Sequence, residues 1–552
     1  MSFVGVCARS LLVAAALAGA TPALADAPGD YAEAVKLLAA PEAPRDDAKA
    51  VALLRKAAAA NHAPAIRELG RMTDLGRGVL QRDAKSAIER YKQASEAGDV
   101  SAQVYFAEAL AAGRGGLESD PKRARELIEA AAAARDPLAL FTFGELRRKG
   151  GLGLAIDQKA AAKFYQDAVK AGSLDADALL AWLAWTGEGG VAKDQAAAAK
   201  KARGLAEKGS PAAHRVLGMM QLQGADRVLP QDAEAAVERF RRAAALGDID
   251  AMAQLGAALK GRDKVANDAD ALRTLQAAAE FGNLDATLDL AFMHVEGRGV
   301  PKNPAEAAKI VRRAADQGHP KSMNGLAELL QRGVGTPVNL LEAISWMQRA
   351  SDLGYEQAMN NLAVAYQRGI GVEKNEATAI GWYRKSAELG NATAAFNLGG
   401  ALLKGIGVSR DLPQATVWFQ RSAEKDYVPA MYNLALMAST GEGMAKDDAI
   451  AFKWYKAAAE KGHTKAMVNL AAMYHEGRGT ARTPAEVFKW NMKAAEAGER
   501  PAMCNIARHY HHGAAGKKDP DLAAVWLKKA GGNCGDLKIE APAQPKVRIE
   551  IR

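Results

Sequence analysis

Apolar positions along this chain fall at helical spacing, in runs that come in pairs separated by glycine. In the stretch 429–462 the first run is Pro429-Ala-Met-Tyr-Asn-Leu-Ala-Leu-Met, closing at Gly441-Glu-Gly443. The second is Asp447-Asp-Ala-Ile-Ala-Phe-Lys-Trp-Tyr-Lys-Ala-Ala-Ala-Glu-Lys, closing at Gly462. Each run predicts a short helix, with glycine free to take the left-handed conformation that ends one. Helix starts carry cap chemistry: Thr483-Pro-Ala-Glu486 and Asn303-Pro-Ala-Glu306 read as capping boxes with proline at the first helical position.

The paired pattern repeats. Trp346, Trp382, Trp418, Trp454, Trp490 and Trp526 fall every 36 residues, six of the eight tryptophans in the chain. Glycine keeps step from Gly297 to Gly513, and a second glycine ladder two residues on runs from Gly299 to Gly479 before breaking at Ala515. Upstream the spacing is 37, through Gly76, Gly113, Gly150, Gly187, Gly224 and Gly261. Self-similarity at this period predicts an all-α solenoid of about thirteen helix-turn-helix repeats of 36–37 residues. The expected body is one continuous, extended superhelix. Residues 26–61 form an N-terminal segment whose leading helix, Asp46–Ala60, stands alone; 62–265 are degenerate units, in which Trp182 and Trp185 fall off the ladder. Residues 266–535 are regular units, and 536–552 leave the repeat as a tail that reads as either a frayed terminus or a short strand at Val547–Arg552.

Composition fits that picture. A chain of 552 residues is too long for one core, which stops growing at roughly 250–300. Aromatics make up 6% of a 49% hydrophobic share that alanine dominates, suiting closely packed helices. The charge of +9, from 73 Lys and Arg against 64 Asp and Glu, falls short of a nucleic-acid footprint. Arg9, the apolar run Leu11–Ala20 and Ala23-Leu24-Ala25 have the layout of a secretory signal peptide, 1–25, cut after Ala25. No later run approaches the ~18 apolar residues of a membrane span. The mature chain is therefore expected in the periplasm or secreted, in oxidising surroundings.

Asn361–Val372 (Asn-Leu-Ala-Val-Ala-Tyr-Gln-Arg-Gly-Ile-Gly-Val) and Trp382–Gly390 (Trp-Tyr-Arg-Lys-Ser-Ala-Glu-Leu-Gly) resemble the Sel1-like repeat (SLR), a relative of the tetratricopeptide repeat. The resemblance covers nearly all of the mature chain. It implies a right-handed superhelix with a concave binding surface and an adaptor role toward protein or peptide partners. For exported bacterial members it implies envelope assembly, exopolysaccharide or biofilm regulation, or host contact.

Candidate binding residues lie on the first helix of each unit. Asn361, Asn397, Asn433, Asn469 and Asn505 form a ladder of amides able to donate to and accept from the backbone of an extended peptide. Alternatively each Asn ties its helix to a neighbouring turn, a role favoured because the family pattern carries this Asn whatever the ligand. The preceding position varies as Asn360, Phe396, Tyr432, Val468 and Cys504, so Phe396 and Tyr432 suit partner recognition as well as core packing. Cys504 and Cys534, near the two adjacent ends of the last helix pair, are expected to form a disulfide. His475, His509, His511 and His512 cluster late but match no metal motif, and no metal or cofactor is expected. Ser119–Lys122 and Ser422–Lys425 have the Ser-x-x-Lys spacing of serine β-lactamases, without the accompanying motifs. The reading is a non-enzymatic envelope scaffold. Its alternatives are a periplasmic regulator that sequesters a sensor of exopolysaccharide or biofilm signalling, and a cell-wall or β-lactam hydrolase.

Overall fold

The computed structural model describes residues 26–39, 46–78, 80–225, 228–261, 265–513 and 518–535. Residues 1–25, expected as a signal peptide, and 536–552, expected as a tail, lie outside the described residues. The described residues hold 28 α-helices, all thirteen residues long except Ile249–Leu259 and Pro520–Lys529. From Ala63–Leu75 to Pro520–Lys529 they make thirteen antiparallel pairs at the positions the repeat predicts.

One expectation fails. Asp47–Ala59 does not stand alone, because Ala27–Ala39 packs against it through Ala27, Ala34 and Leu38 on Ala50, Val51 and Leu54. That first helix reads APGDYAEAVKLLA and lacks the glycine turn and tryptophan that mark later pairs, so the repeat could not reveal it.

The chain divides into two compact units at Tyr355/Glu356, inside the stretch of regular repeats rather than at its degenerate border. In the second unit one continuous apolar cluster runs from Ala363 to Cys534. In the first unit the core is broken into several smaller clusters. The aromatic ladder accounts for the continuity. Each ladder tryptophan lies under a cation on its own helix: Arg349 on Trp346, Lys385 on Trp382, Arg421 on Trp418, Lys493 on Trp490 and Lys529 on Trp526. Where position 457 is alanine, Lys453 covers Trp454 instead.

The two glycine ladders do different work. The first glycine caps the first helix in the left-handed region, as Gly405 does at φ 72°. The second lies against the start of the second helix of the preceding pair. At Gly407, φ 68°, a Cβ would stand 2.6 Å from the carbonyl oxygen of Glu376, and Gly443 has the same relation to Leu412 at 2.7 Å. Only glycine lets the turn pack that closely.

The capping boxes are only half realised. The Asn303 side chain accepts from the Glu306 N–H at 3.1 Å, but Thr483 caps with its backbone alone. Its hydroxyl donates to the Ala481 carbonyl, while Glu486 turns along the helix to accept from Lys489 and the Trp490 indole, both at 2.9 Å.

Candidate interaction surfaces

In the second unit the ladder asparagines are all half-buried on their first helices. Asn397 donates to Asn360 one repeat earlier at 3.2 Å, and Asn360 and Gln357 donate to Asn361 at 3.4 and 3.1 Å. Asn505 donates to Asn491 on the second helix of the preceding pair at 2.9 Å, and Asn469 hydrogen-bonds Tyr455. Asn433 makes no such side-chain tie among the described residues. It lines an open hollow of about 440 Å3 with Pro429, Tyr432, His463, Thr464 and Lys465.

Phe396 and Tyr432 pack on the residue before the next first helix, the first tilted and the second stacked. Phe396 meets Tyr427 at 5.2 Å between ring centroids, and Tyr432 meets His463 at 4.5 Å. Tyr31 and His62 repeat the same spacing in the first unit at 5.0 Å. The position thus joins consecutive repeats, and Tyr432 also keeps an edge on the hollow. The Nδ1 of His463 accepts from the Ala466 N–H, and burial, then neighbouring Lys465, push its pKa below the usual value.

The first unit has a different interior. Arg215, 3% exposed, donates to Asp248 at 2.9 Å and lies 3.7 Å from Asp250 and 3.9 Å from Glu145. Arg148 grips both oxygens of Glu145 at 2.9 Å, and Lys149 pairs with Glu145 and Asp250. Asn283 donates to Asp250 at 2.8 Å, and Lys321 pairs with Asp285 at 2.9 Å. Four carboxylates thus face four cations. The Arg148 and Lys149 charges hold Glu145 well below the carboxylate range against the opposing effect of its burial. His319, buried beside Asp285, is pushed down to about 4 by its burial. Glu108 stands apart. Solvent reaches its side chain, yet enclosure by the surrounding chain raises its pKa to about 7, with Asp250 and Asp74 adding to the rise and Arg114 and Lys149 opposing it.

This network closes the first unit on itself. The Ile156 N–H donates to the Leu353 carbonyl at 2.8 Å, Arg82 pairs with Glu280, and Arg82 and Arg114 both lie over the Phe281 ring at 4.4 and 4.9 Å. These contacts join turns four or five helix pairs apart. None of the sequence candidates includes them.

The Ser-x-x-Lys serines have other partners. The Ser119 hydroxyl donates to the Ala111 carbonyl at 2.6 Å and the Ser422 hydroxyl to Ala392 at 2.7 Å, an arrangement that activates neither as a nucleophile. Ser386 makes the equivalent bond to Glu356, 36 residues earlier in the repeat. His509 packs edge-on against Phe488, His511 and His512 pack on each other, and no group of three potential metal ligands converges among the described residues. Cys504 and Cys534 are joined, with Cα atoms 5.4 Å apart.

The sequence model described as "Sel1 repeat" matches 41–62, 63–99, 100–136, 174–200 and 211–248, then seven consecutive units across 284–531. Of the unmatched stretches, 137–173 and 249–283 are each a helix pair in the structure, and they carry Glu145, Arg148, Lys149, Asp250 and Asn283. A protective antigen of uropathogenic Escherichia coli with an SLR fold is 28% identical over 74% of this chain and 87% of its own, with a TM-score of 0.41. A Sel1 repeat protein from Oxalobacter formigenes is 27% identical over 46% of this chain and 98% of its own, with a TM-score of 0.38. Among curated proteins none matches.

Proposed function

The chain belongs to the Sel1 repeat family, and from that premise we propose that it is an exported, non-enzymatic scaffold that holds protein or peptide partners in the bacterial cell envelope. The observation that carries this reading is the first-helix face of the second unit. There Asn433 makes no side-chain tie among the described residues beside the hollow, and Asn397 spends one N–H on Asn360. A carboxamide offers two N–H donors and two lone pairs, so the ladder retains capacity to pair with a partner's backbone while it braces the repeats. The signal-like segment 1–25 supports the export element, with the mature protein in the periplasm or secreted.

Crosslinking in the native envelope, followed by identification of captured proteins, tests the reading. A specific partner set that disappears with Asn433→Ala and Asn469→Ala supports it. Recovery of the protein from the cytoplasm with residues 1–25 intact overturns the export element, and an unchanged partner set in the Asn variants overturns the face.

A further inference from the structure

The charges on the two units' first helices differ in one respect that bears on what binds. In the first unit the interior cations are matched by carboxylates of the same unit. In the second unit the ladder stripe, read along each helix at helical spacing, carries Arg368 beyond Asn361, Lys404 beyond Asn397, Lys465 before Asn469 and Arg508 beyond Asn505. All four are exposed. Arg508 donates to Asn505 at 3.2 Å and to the Cys534 carbonyl at 2.7 Å. Arg368, Lys404 and Lys465 have no carboxylate partner among the described residues. The acid at the corresponding positions is Glu476, and it is taken by Arg478 at 2.5 Å.

Between these cations the helix face itself is uncharged, and Glu499, the acid beside Lys465, accepts from the Thr464 hydroxyl at 2.8 Å. Val364, Gly400, Leu436 and Ala472 occupy the equivalent positions one turn past each asparagine, and Leu436 is 40% exposed. The stripe is therefore a row of amides and small apolar contacts flanked by cations that the protein itself does not neutralise. Such a surface carries a net positive potential that selects partners by charge and speeds their encounter.

We propose that this stripe docks an extended peptide rich in acidic side chains, its backbone lying along the amides and its carboxylates reaching Arg368, Lys404 and Lys465. The proposal rests on the peptide-scaffold reading and specifies its partner. Because Arg368, Lys404 and Lys465 make no side-chain hydrogen bond or ion pair among the described residues, their removal should leave the protein intact.

The test uses the mature full chain and three labelled peptides of equal length built on one Ala/Ser frame, carrying aspartates, lysines or neither, with binding followed by fluorescence anisotropy. The aspartate peptide is expected to bind tightest, with affinity that falls as salt rises. The variant Arg368→Ala/Lys404→Ala/Lys465→Ala should weaken it by about tenfold at low salt with an unchanged circular dichroism spectrum. A control variant, Arg384→Ala/Lys446→Ala/Lys528→Ala, removes three exposed cations away from the stripe and should bind as the parent does. Equal binding of all three peptides overturns the acidic partner but leaves the scaffold reading, whereas binding of none overturns both. Equal loss in the control variant means that net charge alone is read and overturns the stripe. If dextran sulfate displaces the peptide while Asn433→Ala/Asn469→Ala leaves peptide binding unchanged, the face takes polyanions rather than peptides and the proposal falls.

Discussion

Arg215 donates to Asp248 at 2.9 Å from a site 3% exposed, and the same guanidinium stands between Asp250 and Glu145. Helices that are well separated along the chain meet at this one side chain. The consequence is that the interior of the first unit depends on its charges remaining complete.

Replacing Arg215 with methionine leaves buried carboxylates without their cation. Breaking a buried pair from one side costs roughly 3–5 kcal/mol. Hydrogen exchange across Pro211–Gln223 should therefore quicken sharply in Arg215→Met. Adding Asp248→Asn to that variant should restore part of the loss, and protection unchanged in Arg215→Met would contradict the account.

Glu108 makes the first unit sensitive to pH. Its carboxyl holds a proton to about pH 7 in the folded chain, against an ordinary value of 4.5. Between these values the unfolded chain releases the proton and the folded chain keeps it, so this group's contribution falls as pH rises through the window and is level above it. Thermal unfolding of Glu108→Gln should show a flatter pH dependence than the parent from pH 4.5 to 7. Identical profiles would mean that Glu108 ionises normally.

The Cys504–Cys534 bond spans 30 residues and closes the last helix pair, which has no described pair beyond it. Loop-closure entropy assigns such a crosslink roughly 3–4 kcal/mol. Intact mass should rise by two hydrogens on reduction, and Cys504→Ser/Cys534→Ser should speed proteolysis around Arg500–His512 while leaving earlier repeats protected.

Two glycines in neighbouring elements should respond oppositely to alanine. Gly407→Ala places a Cβ at positive φ against the Glu376 carbonyl and should cost about 2 kcal/mol or more. Gly381 lies inside the helix Glu376–Glu388 with nothing within 4 Å of its missing Cβ, so Gly381→Ala should stabilise by about 0.5–1 kcal/mol. Denaturant midpoints of the two variants check the sign of each.

How much of this was legible beforehand depends on how far apart the interacting residues are. The tryptophan and glycine ladders announce the helix pairs because each pair packs mainly on the next, so a contact made once is made again about 36 residues later. Phe396 and Tyr432 were visible as variable aromatics, yet their ring contacts with Tyr427 and His463 were not, since the residue before each first helix varies too. The helix Ala27–Ala39 stayed hidden because it carries none of the ladder residues.

Element type, the pairing of helices and their number to within one pair can be read from the residues alone, because they follow from local propensity and nearest-neighbour burial. That Lys149 meets Asp250 across 101 residues, and that Ile156 meets Leu353, comes from the folded arrangement and not from the repeat. Such contacts depend on small rotations accumulated over several repeats, and no single repeat encodes that sum. The same closure separates a first unit that neutralises its own interior charges from a second unit that leaves Arg368, Lys404 and Lys465 without carboxylate partners among the described residues.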